Sequence, residues 1–217
     1  ENLRKSLAHS YRLTAFIAAG VLILSQSFAS LVLTGLHTPS NIIGMSLLYL
    51  RIIFCGIPAT AAYNMFASAL RAMGNSKTPL TAMIIASVLN VSLDILFVAG
   101  FGWGVAGAAI ATVIAQSFSA VYCFLILRRI DIVHLTRADF MPASGMNARL
   151  MKLGIPVVFQ NIIIGVGGLV VQYVINGYGF LFVAGFTATN KLYGLLEMAA
   201  ISYGYAIVTY VGQNLGA

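Results

Sequence analysis

Six long apolar segments constrain this chain more than any other feature of its sequence. A helix that crosses a bilayer needs about 20 mostly apolar residues, and each segment reaches or exceeds that length. Hydrophobic residues make up 60% of the chain and charged residues only 8%, which is far from the composition of a soluble domain. The sequence therefore predicts an all-α, polytopic transmembrane bundle with helices at residues 11–36, 42–70, 78–100, 104–127, 150–176 and 182–211.

The positions of the Lys and Arg residues predict the orientation of these helices. Ten of the twelve lie before or within the first turn of the first helix, between the second and third, or from the end of the fourth to the first turn of the fifth. The turns on the opposite side, around Thr38, Trp103 and Tyr178, contain none. Because cytoplasmic loops are enriched in Lys and Arg, we expect a multi-pass protein of the cytoplasmic membrane with both chain ends in the cytoplasm. The dispersed basic residues argue against nucleic-acid binding, despite a net charge of +7.

The other two basic residues fall inside predicted helices. Arg51 is 20 residues from Arg71, or about 30 Å of helix, so we expect it at the outer membrane interface. Lys191 and Glu197 are six residues apart and do not share a helix face. We interpret them as facing the interior of the bundle.

Asp94 is an acid within a long apolar segment, SVLNVSLDILFV. An unpaired carboxylate in such a setting costs several kcal/mol, and acids inside membranes usually have a function. Counted from Lys77, Asp94 lies about 25 Å along its helix, and counted from Arg128, Thr112 lies about 24 Å along the next one. A four-residue turn joins these helices, which predicts antiparallel neighbours with the two side chains at one level.

Two further residues complete this candidate site. Asn90 lies one turn from Asp94, and Ala108 lies one turn from Thr112, where its small side chain permits close approach. Carboxylate, amide and hydroxyl oxygens suit a small hard cation. The sequence thus predicts a proton or Na⁺ site at Asp94, Asn90, Thr112 and Ala108. The alternative is a protonated Asp94 that bonds Asn90 only to satisfy both groups.

Other motifs have structural interpretations. Gly102, Gly104 and Gly107 spell G-x-G-x-x-G, but no strand precedes them and no acid follows about 20 positions later, so they predict a tight turn and close helix packing. Cys55 and Cys123 lack metal or redox spacing and are predicted to be small core residues. The three histidines are near predicted loops and are expected to be solvated: His9, His37 and His134.

Amide side chains and prolines occur within several predicted helices. Pro58 and Pro156 would each free a backbone carbonyl and allow a bend. Four amide side chains would line a polar substrate cavity: Asn64, Gln116, Gln160 and Gln172.

Four runs of sequence together resemble the multidrug and toxic compound extrusion (MATE) family: GIPATAAYNMFASALRAMGNSKTPL, LNVSLDILFVAGFGWGVAGAAIATVIAQ, LGIPVVFQN and TYVGQNLGA. The resemblance covers essentially the whole chain, and it implies a twelve-helix transporter with two six-helix lobes that exchanges Na⁺ or H⁺ for amphipathic compounds. This chain resembles helices three to eight. The resemblance implies that residues 1–128 belong to the N-terminal lobe, 129–149 form a cytoplasmic linker, and 150–217 begin the C-terminal lobe. The missing helices would be its partners, together with the lipid bilayer.

The resemblance also carries residue roles. The family's N-terminal-lobe cation site has an Asn-x-x-x-Asp pair and a Thr on the next helix, which match Asn90, Asp94 and Thr112 here. By internal symmetry Gln172 stands where another acid of the family would be. No acid occurs between residues 153 and 176, which favours coupling in the N-terminal lobe.

These observations predict an H⁺- or Na⁺-coupled antiporter that exports drugs or other amphipathic organic compounds and needs no cofactor beyond the coupling ion. One alternative is a flippase for lipids or lipid-linked sugars, and another is a non-transporting channel or structural subunit. An enzyme would need a paired nucleophile and base, or two facing acids. Asp94 and Glu197 are the only acids within the apolar segments and nothing in the sequence pairs them, so we do not expect an enzyme.

Overall fold

The computed structural model describes residues 2–35, 42–130, 137–140, 145–178 and 180–215. These residues form helices joined by short turns. The α-helices are α1 (Asn2–Gly35), α2 (Ile43–Cys55), α3 (Ile57–Ala72), α4 (Lys77–Asp94), α5 (Gly104–Leu127), α6 (Met146–Asn176) and α7 (Phe180–Leu215). A π-helical segment, Ile95–Gly100, continues α4, and a 3₁₀ turn occupies Arg137–Phe140.

Six stretches of this structure are long and apolar enough to cross a membrane. Five of them lie in α1, α4 with its π-helical extension, α5, α6 and α7, and the sixth combines α2 and α3. The predicted all-α fold with six transmembrane helices is confirmed.

The start of the first helix was predicted wrongly. The α1 helix begins at Asn2 rather than near residue 11, because Leu7 and Ala8 continue its apolar face and are buried. His9 is only 2% exposed, so its predicted solvation was also wrong. His37 and His134 lie outside the described residues.

The second span is broken at Gly56, which separates α2 from α3. Pro58 lies in the first turn of α3, where it bends the span as expected. Gly56 is buried, and a Cβ there would come within 3.0 Å of both the Ile53 carbonyl oxygen and a Val113 methyl. Because Gly56 has no side chain, the break between α2 and α3 packs directly on α5. Pro156, in contrast, lies inside the continuous helix α6.

The chain divides into two compact units, Glu1–Ser144 and Gly145–Ala217. The first unit contains a buried cluster that joins α1, α3, α4 and α5 through Leu7, Ala69, Leu70, Ala82, Cys123 and Leu127. Cys123 is a core residue as predicted, whereas Cys55 is exposed, so that prediction was wrong. In the same unit, Arg4 of α1 donates to Asp139 of the 3₁₀ turn at 3.2 Å, which fixes this turn against α1.

The turn between α4 and α5 shows why its glycines are needed. Gly102 and Gly104 have positive φ angles of 68° and 54°, a region that L side chains rarely adopt. Gly107 is buried, and a Cβ there would lie 2.9 Å from the Cβ of Phe97 and 3.1 Å from that of Trp103. The predicted tight turn and close packing are confirmed.

Candidate ion-coupling site

Polar side chains recur at three- or four-residue spacing along α4 and α5, which places each set on one helix face. We call this set the polar seam: Ser87, Asn90 and Asp94 on α4, and Thr112, Gln116 and Ser119 on α5. The two helices pack against each other. Small residues make this possible, because Ala82 and Ala86 of α4 and Ala109, Ala111 and Ala115 of α5 are all buried.

Two hydrogen bonds fix the register of the polar seam. The Asn90 side-chain amide donates to the Thr112 hydroxyl over a long contact of 3.5 Å, and that hydroxyl donates to the Ala108 carbonyl at 3.0 Å. Farther along, the Ser119 hydroxyl approaches the Ala82 carbonyl at 3.5 Å. The Asn90–Thr112 and Ser119–Ala82 contacts join the two helices and set Asn90 level with Thr112.

This register corrects the predicted level of Asp94 relative to Thr112. The residue count from the helix ends set Asp94 level with Thr112, but Asn90 occupies that level. Asp94 lies one turn, about 6 Å, nearer the α4–α5 turn. The error arose because the charged residues that end a helix are poor markers of its register with a neighbour.

The carboxylate of Asp94 is incompletely satisfied. Its side chain is half-buried, and its Oδ1 atom is buried with no hydrogen-bond partner among the described residues. A buried acceptor without a donor costs about 1–3 kcal/mol, and more when it is charged. A bound proton or cation at this oxygen would offset that cost.

Aromatic rings gather in the region beyond Asp94. The π-helical segment begins at the next residue, and π-helical turns are frequent at functional sites. The Phe97 ring stacks on Trp103 with centroids 5.0 Å apart, and Phe101 lies 5.3 Å from Trp103. Phe97 also packs against Gly107, so this aromatic cluster of Phe97, Phe101 and Trp103 lies at the turn end of the helix pair.

On the other side of Asp94, a cavity of about 170 Å³ lies between α3, α4 and α5. Its polar lining consists of Tyr63, Ser87, Asn90, Thr112, Gln116 and Ser119. The Tyr63 hydroxyl is oriented by a 3.4 Å contact with the Pro79 carbonyl. Five of the six residues of the polar seam therefore line one space, and the sixth, Asp94, follows one helical turn later.

The structure brings together some of the predicted site residues and not others. Gln116 lies in the cavity wall beside Asn90 and Thr112. Asn64 is exposed on α3, and Gln160 is exposed on α6 in the second unit. The side chain of Gln172 lies outside the described part of the chain.

Three polar lining residues were not predicted from the sequence. Ser87 and Ser119 stand at helical spacing from Asn90 and Thr112, so the pattern that identified Asn90 would also have identified them. Tyr63 gives no such signal, because only the packing of α3 against α4 and α5 brings it to the cavity.

The oxygen atoms of this site suit a proton or a hard cation. In the described ranges, no group of three or more His, Cys, Asp or Glu side chains could hold a metal. One carboxylate with amide and hydroxyl oxygens is instead the kind of donor set that suits Na⁺, and the carboxylate alone suffices for H⁺. Asp94, Asn90 and Thr112 would hold such an ion.

The fold and the polar seam define a multi-pass helical membrane protein with an acid held between its helices. A family model described as MatE matches residues 1–96. A probable multidrug resistance protein, YpnP of Bacillus subtilis strain 168, is 36% identical over 188 residues, which cover 87% of this chain and 42% of YpnP. The probable multidrug resistance protein YoeA of the same organism is 26% identical and is matched over 100% of this chain and 49% of its own length. Residues 1–96 thus match the MatE family model, and the chain is similar to these relatives over most of its own length.

A solved structure, described as MATE in the bent conformation, has the same fold. It aligns with a TM-score of 0.76 and 20% identity over 97% of this chain and 49% of its own chain. The chain thus spans about half the length of the relatives it matches.

Proposed function

We propose that this chain is part of a cation-coupled antiporter that exports amphipathic organic compounds across the cytoplasmic membrane. The carrying observation is the buried Oδ1 of Asp94 at the end of the polar seam, which lacks a hydrogen-bond partner in the part of the chain that the structure describes. Its relatives YpnP and YoeA are described as probable multidrug resistance proteins, which supports drug-like substrates.

Coupling requires an ion that binds one conformation of the transporter more tightly than the other. When H⁺ or Na⁺ neutralises Asp94, the cost of its buried charge disappears, and the helices can pack more closely around it. When the ion leaves, the carboxylate favours an arrangement that admits water. The π-helical segment that follows Asp94 offers a place where the backbone can change between these arrangements.

Asn90 and Thr112 act as neighbours of the coupling group. The Thr112 hydroxyl donates a hydrogen bond to the Ala108 carbonyl, so its lone pairs remain directed at other groups, including the Asn90 side-chain amide. A Na⁺ ion would take the side-chain carbonyl oxygen of Asn90 and the Thr112 hydroxyl as neutral ligands beside the Asp94 carboxylate. A proton would need neither, so the two residues matter more for Na⁺ than for H⁺.

The proposed arrangement places both chain ends in the cytoplasm, residues 1–128 in an N-terminal lobe, 129–149 in a linker, and 150–217 at the start of a C-terminal lobe. The distribution of Lys and Arg supports the orientation, and the family resemblance supports the lobes.

The test is efflux of a fluorescent cationic drug from proteoliposomes that contain the twelve-helix parent protein implied by the resemblance. An imposed H⁺ or Na⁺ gradient should drive the drug against its own gradient. Drug movement that only follows its own gradient would instead favour the channel alternative. Movement of labelled lipid, with none of the drug, would favour the flippase.

A further inference from the structure

We infer that the cavity between α3, α4 and α5 is a hydrated vestibule through which the coupling ion leaves Asp94 toward the Lys77–Leu127 end of the bundle, with Gln116 as a positioning residue on its wall. The inference rests on the proposed function and adds a route and a direction to it.

The first support is the depth of the cavity. Its lining on α4 runs from Met83 to Asn90, which is about 9 to 20 Å from the start of this helix at Lys77. The cavity therefore occupies the part of the bundle between the charged end and Asp94. Its volume of about 170 Å³ has room for several water molecules, each of which takes about 30 Å³ in the liquid.

The second support is the polarity of the lining. A water molecule persists in a protein cavity when two to four polar partners surround it. Here the hydroxyls of Tyr63, Ser87 and Ser119, together with the Gln116 amide, provide such partners on three different helices. The Ser87 and Ser119 hydroxyls donate to carbonyls of their own helices, so they present acceptor lone pairs that suit a hydrated cation.

The third support is the contrast with the other side of Asp94. There the Phe97 ring stacks on Trp103, and Gly107 leaves no room for a methyl group beside Phe97. The arrangement is therefore asymmetric, with a polar cavity on one side of the carboxylate and apolar rings on the other. An ion meets the lower barrier on the cavity side.

Gln116 is the long amide side chain on this route. It lies one turn from Thr112 and can exchange hydrogen bonds with water without gaining or losing charge. A leucine at this position has a similar size but would make the wall apolar and expel water. The ion would then have to cross a dry segment when it leaves Asp94.

The route is tested by thiol labelling in the parent protein, after Cys55→Ser and Cys123→Ala remove the cysteines of this region. The probe is a membrane-impermeant, positively charged methanethiosulfonate, which reacts with the thiolate and therefore needs water. Gln116→Cys should be labelled from the cytoplasmic side at least ten times faster than Val121→Cys. Val121 is 55% exposed, lies on the opposite face of α5, and is nearer the Leu127 end, so depth alone would favour it.

Labelling of Gln116→Cys only from the outside, or no faster than that of Val121→Cys, would overturn the route.

A second pair of variants tests whether the ion uses the vestibule. Gln116→Leu should lower gradient-driven efflux at least fivefold, whereas Gln116→Asn should keep more than half of it; equal loss in both would reject a role for hydration. Because labelling does not need turnover, failure of the route is read separately from failure of ion-coupled transport.

Discussion

The α4–α5 and α6–α7 pairs have similar composition but differ in what their helices hold. Each pair consists of long apolar helices joined by a short turn that contains glycine, and each helix includes a candidate membrane span. In the α4–α5 pair, amide, hydroxyl and carboxyl groups lie between the helices and a cavity adjoins them. In the second unit, Ile175 is the buried hydrophobic residue among the described side chains, and Lys191 and Glu197 are exposed on α7.

Two threonines show the difference most simply. The hydroxyls of Thr112 on α5 and Thr187 on α7 both donate to the carbonyl four residues earlier, at 3.0 and 2.8 Å. Only Thr112 also accepts a hydrogen bond from a neighbouring helix, among the contacts of the described residues. Hydropathy does not distinguish the pairs, but contact between polar groups on adjacent helices does. We therefore expect ion coupling in the α4–α5 pair.

The largest expected effect comes from the acids of the two pairs. Asp94→Asn keeps the size and hydrogen-bonding capacity of the side chain but removes the titratable anionic group, so gradient-driven efflux should fall at least a hundredfold. The matched change Glu197→Gln should alter efflux less than twofold. Both are measured in proteoliposomes with protein amount and thermal stability checked. Equal loss in the two variants would remove the distinction between the pairs.

A smaller effect is expected for the two threonines. Thr112→Ala removes one neutral ligand and leaves the carboxylate, so the concentration of Na⁺ that gives half-maximal efflux should rise about five- to tenfold, which corresponds to about 1–1.4 kcal/mol. Maximal efflux should persist. Thr187→Ala, the control, should leave this concentration unchanged. If H⁺ is the only coupling ion, the Thr112 effect should be much weaker, because a proton needs no further ligand.

Substitution of one glycine in each helix pair tests the comparison through thermal stability rather than transport. Gly107→Ala would place a Cβ 2.9 Å from Phe97, and overpacking of this kind costs about 1–3 kcal/mol. Gly165→Ala on α6 meets nothing within 4 Å in this chain and should be neutral. The measurement is the thermal unfolding midpoint in detergent, which should fall only for Gly107→Ala. An equal midpoint for both variants would show that the turn end of α4–α5 is loosely packed.

Most of the α4–α5 site was predictable, because an acid, an amide and a hydroxyl at helical spacing stand out in apolar sequence. The break at Gly56 was also foreseen from Pro58. The register of Asp94 was not, since side-chain packing sets it and loop charges do not. The exposure of Cys55 and the burial of His9 depend in the same way on contacts between helices.

The smallest expected effect is on labelling alone. Single cysteines at Ser76 and Ser40 should leave transport unchanged. Ser76, just before α4, should be labelled only from the cytoplasm, and Ser40 only from outside, because Lys and Arg surround the first and are absent around the second. Labelling of Ser76→Cys from outside would reverse the orientation and the direction of the proposed vestibule.

The most direct test of the central claim is cation binding to the purified parent protein, measured without drug or turnover. In detergent, the protein should bind radioactive Na⁺ in competition with H⁺, or, if coupled to H⁺ alone, should release a proton when a substrate is added at constant pH. The Asp94→Asn variant should show neither, while Glu197→Gln should match the unmodified protein. Unchanged cation binding by a folded Asp94→Asn variant would contradict the assignment of Asp94 as the coupling group.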